Sequence, residues 1–449
     1  MLWVSSSLST LMLCQACSAW VDSFAGGSAK DGVRVEPFGA SVGDEGRRVH
    51  RVTLRKGLIE AQVLTYGATL QTLSVPDRDG VPEDVVLGFD SLAEYEDESP
   101  FFGSTVGRTA GRIGTASDLE VEGIRFTLEG SDGDVGGLRP TTSLHGGKRG
   151  FDKRVWTLDG TTNDGETCSV TLRLRSEDGD QGFPGDVNCA VTYRITSTPR
   201  LALTIEYEAS ATKATPLSLT NHSYFNLGGA TALVPLDRGH AGDSLAAETD
   251  GVRTHTLQFA PLKGWLKDDG SGDGLFTGEI GAPSGIHEWS TEPVLLRDRL
   301  EALQEQQPSY PHGDAYVLAS ASRDGYNPDA MAAKAMANGN PSLLPFAAVL
   351  SHGTSGRIMR VYTSEPVVQT YFSTLLDCTG KGGIQYCKYG GVCLEAQRFA
   401  NATNVSSFPS NVCHPHDPYR QVTTFEFSTD SDDAAAAEAD DERALLSDD

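Results

Sequence analysis

The chain has 449 residues, 39% of them hydrophobic, and sets 36 basic against 61 acidic side chains for a formal net charge of −25. A surface this acidic repels nucleic acid and anionic membranes, whose phosphates reward basic side chains, so a neutral small molecule is the partner the composition favours. No segment reaches the ~18 consecutive apolar residues of a membrane span, and although the length would permit two or three domains, all-β sandwiches often run this long as one unit.

The N-terminus, from Met1 through Leu11-Met12-Leu13 to Ser18-Ala19, holds no charged side chain before Asp22. It reads as a secretory signal peptide over residues 1–19, without the usual basic n-region; a signal-led organellar presequence is the alternative. A Gly/Ser-containing linker follows over 20–32. From Val33 to about residue 429 the pattern is that of one domain. Val33-Arg34-Val35 and His50 to Leu54 alternate side-chain character with the period of a half-buried strand and suggest early edge strands. The same period recurs in Ser169–Leu174, Ala190–Ile195 and Leu201–Tyr207, bounded by turn residues. Strand after strand with no helical period between them predicts an all-β fold, a large antiparallel β-sandwich. The 49 glycines and 21 prolines that cut the chain into short segments agree with this.

Asp329 to Asn338 is the best short helix, rich in strong helix formers, and sits within a probable insertion over 324–350, read as surface decoration. From Asp430 to Asp449 the acidic tail is too poor in apolar residues to fold alone and is expected to be disordered. Removal of Cys14 and Cys17 with the signal leaves six cysteines, an even number that suits an exported, disulfide-bonded protein. Cys168 and Cys189, on consecutive strand-like runs, are candidates for a cross-strand bridge. The spacings of Cys378, Cys387, Cys393 and Cys413 give no paired C-x-x-C zinc ligands. Asn401 and Asn404 are glycosylation sequons in an expected loop, whereas the sequon at Asn221 falls in a candidate pocket and is expected to be unused.

The chemistry concentrates in three places. Thr220 to Gly229 packs His222, two asparagines and an aromatic pair between turn signals. Ser143 to Asp152 surrounds His145 with three glycines that let the backbone bend tightly. Glu395 stands in Val392-Cys393-Leu394-Glu395-Ala396-Gln397, where strict alternation puts Cys393, Glu395 and Gln397 on one face. Two histidines and a carboxylate can form a proton-transfer site. Taken alone, Glu395 could equally be a solvated strand residue and His222 a satisfied core imidazole.

The same segments carry a resemblance. Tyr66-Gly67-Ala68, Asp84 to Asp90, Gly107 to Ile113, the two histidine motifs, Tyr362 to Pro366, Val368 to Tyr371 and Leu394 to Gln397 occur in an order that resembles the aldose 1-epimerases, over about Leu64 to Phe427. The resemblance implies a sandwich whose concave face holds a sugar, with Glu395 as base, His222 as acid, His145 near the ring oxygen, and Arg112, Asp314 and Gln369 on the sugar hydroxyls. It implies no cofactor and no metal. The expected reaction interconverts the α and β anomers of free hexoses, galactose and glucose, with monomer the favoured state. Two departures bear on substrate preference. Gly111 stands where the family commonly has asparagine, and registering Tyr316-Val317-Leu318 on the family pattern puts Gly313, not Asp314, at the aspartate position. The rivals are a hexose-6-phosphate 1-epimerase, for which Lys148, Arg149, Lys153 and Arg154 could hold the phosphate, and a non-catalytic carbohydrate-binding protein. A glycosidase would need a second, flanking carboxylate that the motifs do not supply.

Overall fold

The computed structural model describes residues 30–97, 99–115, 118–130, 142–230, 251–270, 274–289, 291–306, 313–340 and 343–433. The expected signal peptide lies outside them, as does the tail beyond Asp433.

Five strands open the domain: β1 (Gly32–Ala40), β2 (Arg48–Lys56), β3 (Ile59–Leu64), β4 (Thr69–Pro76) and β5 (Pro82–Asp84), paired antiparallel in that order. β1 is an edge and β2 is interior. After several short two- and three-residue strands, four long ones, β6 (Thr157–Asn163), β7 (Thr167–Ser176), β8 (Val187–Thr196) and β9 (Leu201–Ala211), form a meander, the last three on the alternating runs. They are followed by β10 (His255–Phe259), β11 (Leu262–Asp268), β12 (Phe276–Gly281), β13 (Val294–Leu295), β14 (Ala315–Leu318), β15 (Phe346–His352), β16 (Arg357–Thr363), β17 (Val367–Tyr371), β18 (Cys393–Gln397) and β19 (Tyr419–Thr429).

A nine-stranded sheet runs β6-β7-β8-β9-β19-β16-β15-β10-β13, and a second five-stranded sheet runs β12-β11-β14-β17-β18. One continuous apolar cluster joins all three sheets: Val52 and Leu54 from the first, Val170, Val191 and Ile205 from the second, and Tyr316, Val368 and Leu394 from the third. The large antiparallel β-sandwich is therefore the architecture, with period-two alternation sending one face of each sheet inward. On β14, β17 and β18 the inward positions are Tyr316, Val368 and Leu394; their neighbours Ala315, Gln369 and Glu395 face the other way, in register across three strands.

Several expectations change here. The helix forms over Pro328–Asn338, where the Asn327 side chain accepts from Ala330 N at 2.9 Å and Gly339 closes the C-terminus in the left-handed region. It is more than decoration. Ala332 and Ala335 pack on Val422 of β19, and Asp329 Oδ1 accepts from Arg398 Nη2 at 2.9 Å and Arg420 N at 2.7 Å. The strand at Phe346 also begins inside the span expected to be an insertion.

Cys168 and Cys189 do not bridge. Cys168 lies opposite Ile195 and Cys189 opposite Leu174, so the two sit toward opposite ends of the β7–β8 pair, roughly 20 Å apart at ~3.3 Å per residue. The Asn401 amide is buried, donating to Phe276 O at 2.9 Å, which leaves no room for a glycan on that sequon. The Asn404 side chain is engaged too, with Gly114 O at 2.9 Å. Asn221 is likewise tied down, to Gly103 O at 2.7 Å and the Tyr193 hydroxyl at 3.1 Å. The acidic tail is ordered at its start, where Asp430 pairs with Arg78 at 2.7 Å and Asp433 with Arg360 and Arg200, because three arginines on the sheet rim meet its first carboxylates.

Candidate active site

The site is built on the outward face of β18. Glu395 lies directly opposite Gln369 of β17, and Cys393 opposite Tyr371. His222 is brought to this face by backbone pairing on both sides of its segment. Thr220 and Asn221 pair with Val106 and Thr105, His222 N donates to Ser104 O at 2.9 Å, and Phe225 exchanges two backbone bonds with Val392, the residue before β18. The density of amide and aromatic groups around His222 is thus the signature of a segment wedged between two others.

His145 arrives by a different route. Leu144 pairs with Arg112, and the chain then turns through positive φ at His145 (50°), Gly146 (91°) and Gly147 (100°). A Cβ on Gly146 would lie 1.9 Å from Gly107 O, so only glycine fits that turn. The turn folds the imidazole back so that Gly111 N donates to His145 Nδ1 at 3.2 Å, while Gly111 O accepts from His145 N at 2.9 Å.

The outcome is a compact triad. One ligand-type atom from each of His145, His222 and Glu395 lies within 4.8 Å of the other two, and all three side chains are buried. His222 Nε2 stands 3.6 Å from Glu395 Oε1, and His222 Nδ1 stands 3.6 Å from Cys393 Sγ. Glu395 Oε2 is buried without a protein hydrogen bond. Phe101 closes the top, stacked on His222 at 5.6 Å and edge-on to His145 at 4.7 Å, with the Lys153 ammonium 5.0 Å above its ring. Tyr224 also stacks on His222, at 5.2 Å.

Burial dominates the electrostatics. It pushes the Glu395 carboxyl up from 4.5 to about 8 against the opposing pull of the Arg112 guanidinium. It pulls His222 down from 6.5 to about 4, and drives His145 well below 6.5, with His222 and Arg112 adding repulsion. Charge is thus disfavoured on all three, and a proton on the Glu395–His222 pair rests on the carboxyl in the majority state. Because Gly111 N–H occupies the lone pair of His145 Nδ1, neutral His145 carries its proton on Nε2 and presents a donor. Such a donor suits a hydroxyl or ring oxygen better than a metal ion, although these three are the described residues with the spacing to hold one.

The expected binding residues divide. Arg112 is half-buried beside His145, and Gln369 shares the face of Glu395, its Nε2 donating to Thr370 O at 2.8 Å. Asp314 is not brought to this group. Its backbone pairs with Thr370, which puts its side chain on the inward face, where Oδ2 accepts from the Tyr316 hydroxyl at 2.9 Å and contacts His287 Nδ1 at 3.2 Å, with His287 stacked on Trp265. The outward position is Gly313, whose missing Cβ would sit 3.5 Å from Gln369 Nε2 and from Tyr371. Gly111 is also bare: a Cβ there would meet the Ala400 methyl at 2.7 Å, which accounts for the absence of a larger side chain.

Two residues at the triad went unassigned in the sequence. Phe101, in Pro100-Phe101-Phe102-Gly103, carries no polar signal and is recognised only by its rings. Cys393 counts among the six cysteines of the disulfide expectation, although strict alternation places it on the face of Glu395.

The sequence pattern of the aldose 1-epimerase family matches residues 50–426. The chain is 33% identical to the galactose mutarotase of Rattus norvegicus over 386 residues, covering 85% of this chain and 95% of that one. It is 28% identical to the aldose 1-epimerase of Escherichia coli K12 over 388 residues, covering 85% and 96%. Among solved structures, an aldose epimerase homologue from C. elegans superposes with a TM-score of 0.62 at 27% identity, covering 83% of this chain and 96% of that one. A galactose 1-epimerase from Lactobacillus acidophilus gives 0.66 at 22% identity, with coverage of 89% and 99%, and shows the same fold. Matched over most of its length by family pattern and relatives alike, and folded as they are, this chain belongs to the aldose 1-epimerase family.

Proposed function

We propose that the protein interconverts the α and β anomers of free hexoses, galactose and glucose, with Glu395 and His222 as the proton-exchanging pair. The single observation that carries this reading is the buried 3.6 Å contact between His222 Nε2 and Glu395 Oε1, one group pushed up to about 8 and the other down to about 4. Between those limits the pair holds one proton. With a sugar bound, the anomeric hydroxyl donating to Glu395 and the ring oxygen accepting from His222 draw that proton onto the imidazole.

From the Glu395 carboxylate and His222 imidazolium state, Glu395 takes the proton of the O1 hydroxyl, the C1=O1 double bond forms, the C1–O5 bond breaks, and His222 Nε2 gives its proton to O5. Rotation about C1–C2 turns the other face of the aldehyde to O5. The same steps in reverse close the ring as the other anomer, with His222 taking back the O5 proton and Glu395 returning its own. His145 Nε2–H is a fixed donor for the ring oxygen or a neighbouring hydroxyl, and Arg112 and Gln369 hold hydroxyls farther along the sugar. Such placed acid and base groups typically supply ~10²–10⁴ in rate.

The bare positions at Gly111 and Gly313 withdraw two side chains from the hydroxyl-binding wall, which favours a tolerant sugar preference. A phosphorylated sugar is disfavoured because Arg149, Lys153 and Arg154 already pair with Asp44, Asp152 and Asp180 at 2.6, 2.9 and 2.5 Å. Export through the N-terminal segment is part of the same proposal. Polarimetry of freshly dissolved α-D-galactose and α-D-glucose, with Glu395→Gln as control, tests the activity. Acceleration by the wild type alone is expected; a folded wild type that leaves both spontaneous rates unchanged refutes it.

A further inference from the structure

Cys393 occupies a place that the proton transfer just described does not use. It precedes Glu395 by two residues on the same face of β18, is completely buried, and sets its sulfur 3.6 Å from His222 Nδ1. Nε2 of that ring points at Glu395 Oε1 from 3.6 Å. The ring is stacked by Phe101 and Tyr224, each tilted by only 24° from parallel. His222 is therefore a plate stacked against two aromatic rings and addressed at its edge by one group per nitrogen, and the partner of Nδ1 decides which nitrogen exchanges protons.

We propose that Cys393 is a positioning residue whose sulfur accepts the Nδ1–H of His222, keeping that proton in place so that Nε2 alone exchanges protons with the sugar. The chemistry demands this tautomer: after His222 gives its Nε2 proton to O5, the remaining proton must stay on Nδ1, or Nε2 has no lone pair to recover the O5 proton on closure. A neutral thiol fits the task better than a carboxylate. It orients the ring, but as a weak acceptor without charge it does little to stabilise the imidazolium, so His222 remains a strong enough acid to protonate an ether oxygen. Burial keeps the thiol in that neutral form, well above its ordinary 9, with Glu395 adding repulsion. The His222 backbone oxygen is the competing acceptor for Nδ1–H, and it already accepts from Gly103 N at 2.9 Å. Among the described residues, the other ionisable groups near the ring are Glu395, His145, Tyr224 and, beyond them, Arg112, Tyr371 and Lys153; none of these hydrogen-bonds to Nδ1.

The proposal rests on His222 acting as the acid, and the test separates the two. The full chain is prepared as wild type, Cys393→Ala and Cys393→Ser, the His222 ring tautomer is read from two-bond nitrogen–proton NMR correlations, and mutarotation of α-D-galactose is followed over pH. Expected are a dominant Nδ1–H tautomer in the wild type, a mixture in Cys393→Ala with kcat lowered about tenfold and KM within about twofold, the equivalent of one hydrogen bond, and recovery of both tautomer and most of kcat in Cys393→Ser. Since a hydroxyl accepts more strongly than a thiol, the acid limb of the serine variant's profile should move to higher pH. A Cys393→Ala protein that stays predominantly Nδ1–H, or keeps kcat within twofold, overturns the proposal. A wild type with the stated tautomer but no mutarotation overturns the enzymatic reading and leaves the contact standing.

Discussion

Glu395→Gln separates what the site costs the fold from what it supplies to the reaction. The carboxyl has an ordinary value of 4.5 and is pushed to about 8 by burial. A group raised in this way favours the folded state fully below its unfolded value, and that contribution is lost as pH rises through 4.5 to about 8, because the folded chain binds a proton the unfolded one has released. At ~1.36 kcal/mol per pH unit, a buried Glu395 carboxylate costs on the order of 4–5 kcal/mol above pH 8. Glutamine has nearly the same shape, cannot ionise, and replaces the neutral acid with a neutral amide. With an unfolding entropy of ~0.75 kcal/mol/K for the roughly 360 described residues, the variant should melt about 6 °C above the wild type at pH 9 and within about 1 °C of it at pH 4.5. Mutarotation, measured by polarimetry in parallel, should fall by at least ~10² at every pH. An equal melting difference at both pH values, or a lower melting point for the variant at pH 9, would refute the argument that burial sets the carboxyl's proton affinity.

Three further outcomes are expected. The pH profile of kcat/KM for α-D-galactose should be a broad bell, falling below about 4, where the pair gains a second proton, and above about 8, where it loses its only one; a profile flat to pH 10 would remove Glu395 as the titrating group. Asp314→Asn should lower stability by ~1–3 kcal/mol through its buried contacts with Tyr316 and His287 and leave KM within about twofold, whereas Gln369→Ala should raise KM about tenfold; the opposite ranking would put Asp314 back in the sugar site. Gly146→Ala should cost more than ~3 kcal/mol by thermal melting or displace His145 and abolish turnover, since the added methyl meets backbone that cannot move aside.

The part of this architecture that depends on local alternation was readable in the sequence. Ser169–Leu174, Ala190–Ile195 and Leu201–Tyr207 became interior strands of the nine-stranded sheet, and the period of two assigned Cys393, Glu395 and Gln397 to one face correctly. What depends on pairing register was not. Asp314 and Gly313 differ by one position, yet a shift of one residue moves a side chain through the sheet, and it is the β14–β17 register, continued by the bond from Thr370 N to Asp314 O, that fixes which of them faces Gln369. The same limit applies to Cys168 and Cys189, which sit on adjacent strands but not at adjacent positions. Phe101 escaped for another reason. Its role is to cover two imidazoles, and an aromatic residue that covers a site is chemically the same as one that fills a core.

The triad draws its members from three distant parts of the chain: His145 follows a strand paired with Arg112–Gly114, His222 follows one paired with Thr105–Val106, and Glu395 lies on β18 beside β17. A piece of the polypeptide that ends before β18 lacks the carboxylate of the triad. With Glu395 as the proposed base, turnover reports that β18 has docked. During refolding from denaturant, far-UV signal from the β6–β9 meander can return early, but sugar conversion returns only when β18 has docked beside β17. A newly synthesised molecule remains silent until β18 has left the ribosome.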